Sequence, residues 1–174
     1  MPKLITLDCF TTPTGPLVYG DKWSLFEDER FIMHCPGSGC PNPFVPSHNP
    51  AQPLDLAPFY RAYGWLQPAQ VTWECVKGLP DHPEWGMALL LADGGRLATR
   101  FPDQNNGCAC YATECFAHRG FSDTWRGSKA CLTFAPVAHD AFFSYFEIGE
   151  KGILQMIDHV SPEDIAAIER EIGG

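Results

Sequence analysis

Seven prolines stand between Pro36 and Pro58, at positions 36, 41, 43, 46, 50, 53 and 58. Proline fixes φ and has no backbone N–H, so at this density neither a helix nor a central strand can form. The segment reads as one long ordered loop over 36–58, pinned by Cys35 and Cys40, because loops of this length are usually functional or anchored. Sheet and helix must then be built from the chain on either side of it.

A chain of 174 residues reads as a single domain over 1–174, large enough to bury one core without disulfides. No apolar run approaches the roughly 18 residues needed to cross a bilayer, so no membrane partner is expected. The start, MPKLITLDCF, lacks the basic and apolar regions of a secretory signal, which predicts a reducing, cytoplasmic setting. There, eight cysteines read first as metal ligands, buried apolar groups or a nucleophile, and only then as disulfides. The net charge of −9, with twelve scattered basic residues, argues against direct nucleic-acid binding, which needs clustered Lys and Arg. An acidic surface suits solubility, or a protein partner with a basic surface.

Taken in order, Lys3 to Phe10 alternates as a strand, a short strand follows at Leu17 to Tyr19, and Phe31 to Met33 runs into His34 and Cys35. Beyond the prolines, Asp55 is placed to cap a helix to Leu66, with Leu56, Phe59, Tyr60 and Tyr63 on one face. Val71 to Val76 and Met87 to Ala92 read as strands. Asp93-Gly94-Gly95 then predicts a hairpin turn, returning through Arg96 to Phe101. Tyr111 to His118 has the spacing of one or two helical turns. Cys131 to Phe134 and Phe142 to Ile148 read as strands, with a short aromatic helix over 139–148 as the alternative to the second, and Ile153 to Ile157 reads as a strand. At the end Ser161, Pro162 and Asp164 have the form of a capping box opening a helix with Ile165, Ile168 and Ile172. The fold class expected is α+β: a mostly antiparallel sheet, two main helices, the proline-rich loop and a stabilising zinc.

The zinc expectation comes from two knots of soft ligands. HCPGSGC carries His34, Cys35 and Cys40, with His48 shortly after, and GCACYATECFAH carries Cys108, Cys110, Cys115 and His118. Zinc takes four tetrahedral Cys or His ligands, usually as two close pairs from separate segments. Cys35 with Cys40 and Cys110 with Cys115 share one spacing and make the first ligand set; Cys108, His118, His34 and His48 are alternates. Cys9, Cys75 and Cys131, each isolated in strand-like sequence, read as small buried apolar groups. The function expected is a small acidic interaction module with a structural zinc, an inhibitor or adaptor.

The rival is a hydrolase, with an open zinc or with Cys110 as nucleophile. A cysteine hydrolase needs a thiolate, a histidine base and a group to orient it. Gln104 lies six residues before Cys110, and His139-Asp140 or His118 can supply the base. This arrangement loosely resembles the papain-like cysteine proteases, whose oxyanion-hole glutamine shortly precedes a nucleophile that starts a helix. The resemblance covers under ten residues. It departs from the family at Asn105, where glycine is the rule, and only about 60 residues follow Cys110. No phosphate-binding glycine loop, dinucleotide fingerprint or HExxH motif is present.

Overall fold

The structure is a computed structural model and describes residues 3–10, 18–39, 65–66, 69–100, 111–112, 114–123, 127, 131–159 and 161–173. Its strands are β1 (Leu4–Cys9), β2 (Asp21–Glu27), β3 (Arg30–Ser38), β4 (Trp65–Leu66), β5 (Gln70–Val76), β6 (Ala88–Leu91), β7 (Leu97–Arg100), β8 (Tyr111–Ala112), β9 (Phe116–Arg119), β10 (Leu132–Phe134) and β11 (Lys151–Asp158). Its helices are α1 (Pro136–Phe143) and α2 (Pro162–Gly173), with a 3₁₀ turn at Pro83–Trp85.

Eight strands close into a barrel in the order β1-β11-β5-β6-β9-β10-β3-β2, while β4, β7 and β8 form a separate three-stranded sheet. The barrel pairs are antiparallel except β1 with β11 and β9 with β10. Period-two alternation sets which side chains enter. Ile5, Leu7 and Cys9 do so from β1, Trp73 and Cys75 from β5, and Leu154 and Met156 from β11. Asp28 and Glu29 carry left-handed φ of 50° and 64° at the tight β2–β3 turn, the backbone hand that two-residue hairpins favour.

The interior is filled with aromatic rings. Trp23 stacks on Phe134 at 4.3 Å, Phe134 meets Phe142 at 4.7 Å, and Phe142 and Trp73 each lie 5.3 Å from Phe146. Pro136 opens α1 at its first turn, where the missing N–H costs nothing, and the helix delivers Phe142 and Phe143 to this column. Each such ring stabilises the fold by about 1.5–3 kcal/mol through burial. Among the described residues the barrel interior is a packed core. Where Trp73 crosses β11, Gly152 leaves room for its indole: a Cβ there would run into the ring and the Lys3 carbonyl. At one rim the buried Asp21 carboxylate accepts the Phe10 and Gly39 N–H groups, each at 2.7 Å, tying β1 to the end of β3.

The expected α+β architecture is corrected to this closed barrel with short helices. The C-terminal helix forms where expected, and Ser161 Oγ accepts the Asp164 N–H at 3.2 Å. The helix expected over 55–66 lies, up to residue 64, outside the described residues, and Trp65–Leu66 is strand. Residues 18–20 form a turn rather than a strand, and the sequence reading passed over β2 altogether. Strand β3 runs through Pro36 to Ser38 before the remaining prolines, and the Pro36 carbonyl accepts the Ala135 N–H. Of the 36–58 loop, the rest from Cys40 onward lies outside the described residues.

The Asp93–Gly95 turn forms, but β7 does not return along β6. Left-handed φ at Ala92, Gly94 and Gly95 peels the chain away, and β6 pairs instead with β5 and β9. Tyr111 to His118 is not helical. It is split between β8 and β9 by Glu114, whose φ of 57° no right-handed helix accepts. The strand expected over 142–148 does not form; the alternative helix over 139–148 holds for its first half, in α1, and β11 follows as expected.

Candidate active site

A cleft of about 410 Å³ opens on the outer wall of the barrel, lined by Leu79, Pro80, Asp81, His82, Leu90, Gly94, Glu114, Phe116 and Cys131. Its floor is a row across three strands. Leu90 on β6 pairs with Phe116 on β9, and the parallel register of β9 with β10 brings Cys131 level with Phe116. The Phe116 N–H donates to Cys131 Sγ at 3.5 Å, and the Cys131 thiol donates to the Glu114 carbonyl at 3.7 Å. Cys9, Cys35, Cys75 and Cys115 are all buried, whereas Cys131 is half-exposed.

One wall is the β5–β6 connection, folded back over the barrel. Gly78 permits a close approach, since a Cβ there would lie 3.2 Å from the Gly86 carbonyl. His139 Nε2 donates to the Met87 carbonyl at 2.8 Å and fixes the far end of the connection. Between these ends His82 stacks flat on Trp85, with centroids 4.0 Å apart and planes 5° apart. Trp85 in turn stacks on His118 at 5.5 Å. The buried His118 donates Nδ1–H to the Arg119 carbonyl at 2.6 Å, which fixes its ring. His82 Nδ1 faces Glu84 Oε1 at 3.1 Å. Glu84's own backbone N–H, and then His82, hold its carboxyl below the usual range and keep it charged. With Nδ1–H donated to Glu84, the neutral imidazole carries its lone pair on Nε2.

Another part of the lining is set by the glycine turn. Gly95 O accepts the Cys115 N–H at 2.9 Å, and the Leu91 N–H reaches the Cys115 carbonyl at 3.1 Å. A Cβ on Gly95 would sit 2.7 Å from Cys115 N, so this turn and the Glu114 turn fit only without a side chain there.

The other expected site residues fall elsewhere. Cys35 faces the barrel interior opposite Trp23, and burial pushes its thiol up to about 12 against a weaker lowering by the Ala135 backbone. Cys115 is likewise buried and pushed up to about 12, with Cys131 adding to the rise. His34 lies exposed on the outer wall, bonded to Ser24 Oγ at 3.0 Å. His139 sits beside Asp140 at 3.1 Å but is buried, with its Nε2 committed to the Met87 carbonyl. Cys40, His48, Gln104, Cys108 and Cys110 lie outside the described residues. Among the described residues no three His, Cys, Asp or Glu gather closely enough to hold a metal ion, and no helix is long and apolar enough to cross a membrane.

By sequence Cys131 reads as a small buried apolar group and His82 as a solvated or capping residue of a proline-flanked turn, neither with a chemical role. The one local signal was the His-x-Glu spacing of His82 and Glu84. Cys9 and Cys75 are the buried apolar groups expected, and Cys131 alone of that trio reaches a cleft. No family model, curated protein or solved structure matches the chain.

Proposed function

We propose that the protein is a cysteine-dependent hydrolase whose nucleophile is Cys131 and whose base is His82. The observation that carries this reading is that a half-exposed thiol and an imidazole oriented by a carboxylate line one cleft. A nucleophile, a base and an orienting third group are the parts that acyl transfer through a thioester needs. Cys131 passes its proton to His82 Nε2 as its sulfur bonds to the acyl carbon. His82 returns that proton to the leaving group as the carbon–leaving-group bond breaks. Water then attacks the thioester, giving a proton to His82 and releasing the acid, and the Cys131 sulfur regains a proton.

The test is incubation with p-nitrophenyl acetate, following p-nitrophenol release and acyl adducts by peptide mass spectrometry. An acetyl group on Cys131, lost in Cys131→Ser and slowed at least tenfold in His82→Asn, is the expected result. A rate unchanged in both variants overturns the reading.

A second reading is the zinc-closed interaction module. It rests on the two sequence knots of soft ligands, of which Cys40, Cys108 and Cys110 lie outside the described residues. Such a module would use its acidic surface to bind a basic protein partner. Elemental mass spectrometry tests it: about one zinc per chain supports it, and none in protein purified without chelator removes it. Under either reading the thiols are used reduced, which suits a reducing compartment such as the cytoplasm.

A further inference from the structure

We infer that the cleft selects acyl substrates bearing a cationic group on an aliphatic stem, the chemistry of a lysine or arginine side chain. This rests on the reading of Cys131 as nucleophile and adds a substrate class to it. Leu90 and Phe116 make the floor, and Leu79 and Pro80 make an apolar wall. An alkyl stem gains by covering such surface while its charged head stays in water. The carboxylate-bearing residues of the lining are Asp81 and Glu114, both solvent-exposed, and the described lining includes no Lys or Arg. Asp81 belongs to the folded-back connection and Glu114 to the turn before β9, and both line the cleft with Leu90, Phe116 and Cys131. A cleft lined by one sign of charge over low-dielectric walls concentrates ions of the other sign. The cavity volume is in the range of small-molecule sites, and the chain's net charge of −9 adds a long-range field of the same sign.

The test separates the nucleophile from its selectivity. The full chain is treated with methanethiosulfonates, which carry out thiol exchange: the Cys131 thiolate attacks the reagent's sulfenyl sulfur, a mixed disulfide forms, and methanesulfinate leaves with the electron pair of the broken S–S bond. Rates for the trimethylammonium-ethyl and sulfonato-ethyl reagents are read at Cys131 by peptide mass spectrometry. Each is normalised to the same reagent on the chain unfolded in urea. The cationic reagent is expected to be favoured about tenfold or more at low ionic strength, with the preference collapsing at about 1 M salt, where the Debye length is about 3 Å. Asp81→Asn and Glu114→Gln, which keep side-chain size, should each remove about a threefold share. A Cys131 that reacts with both reagents but without charge preference overturns this inference and leaves the nucleophile standing. A preference that survives both substitutions overturns the assignment to these two carboxylates. A Cys131 no more reactive than the buried thiols overturns the hydrolase reading itself.

Discussion

Cys115 and Cys131 approach one another at the β9–β10 seam yet face opposite sides of the barrel wall. Cys115 lies in the core, where desolvation holds its thiol to about 12, and Cys35 shares that value; burial, and then Glu150, push Cys75 up to about 11. Cys131 faces the cleft and accepts the Phe116 N–H. Alkylation proceeds through the thiolate, so a thiol raised about three units above its ordinary value loses about 10³ in rate near pH 8 from ionisation alone. Iodoacetamide should therefore label Cys35 and Cys115 at least about 10³-fold more slowly in the native protein than in urea, while the half-exposed Cys131 is labelled in both. Peptide mapping over a time course reads this directly. Labelling of the core thiols as fast in the native protein as in urea would place them outside the core.

The turns that carry the cleft are held by backbone conformation as much as by side chains. At Gly95 a φ of 78° and the 2.7 Å approach to Cys115 N combine, so Gly95→Ala brings both strain and a clash. The expected cost is about 1–3 kcal/mol, read as a lower urea midpoint with an unchanged slope. Gly94→Ala meets nothing within 4 Å, so it should cost only its φ strain and serves as the control. Legibility in sequence divides at this same scale. β1, β5 and β11 were readable because each alternates over six to eight residues, and the Ser161 cap because its signal is local. The 93–95 turn was readable as a turn but not as a departure from the sheet, because the partner that replaces β7 beside β6 is β9, more than twenty residues on. In 111–118 the helical spacing of Tyr111, Glu114, Cys115 and His118 is real, but one left-handed residue at Glu114 cancels it. The cleft was invisible for the same reason: its residues come from three separated segments, and only the register of β6, β9 and β10 aligns them.

For the molecule as a whole, closure depends on pairing the first barrel strand with the last, Leu4 opposite Ile153 through Cys9 opposite Asp158, which no local pattern announces. Closure removes every sheet edge from the barrel and seals Cys35, Cys75 and Cys115 inside with the aromatic column. That enclosure has a pH signature. In the unfolded chain these thiols ionise around 9.0, while in the fold they hold their protons to about 11 or 12. Below about pH 9 both states are protonated and the thiols leave stability unaffected by pH. Above it the unfolded state binds fewer protons than the native state, so stability falls as pH rises. The loss accumulates between 9 and 11 for Cys75 and between 9 and 12 for the other two, beyond which the native thiols ionise as well. Urea midpoints measured from pH 7 to 11 should hold level to about 9 and then decline. Replacing Cys35 and Cys115 by alanine should lower the plateau through lost packing, by about 1 kcal/mol or more, and flatten the decline. A decline as steep in the double variant as in the parent would mean that other groups, not the enclosed thiols, set the alkaline limit of the barrel.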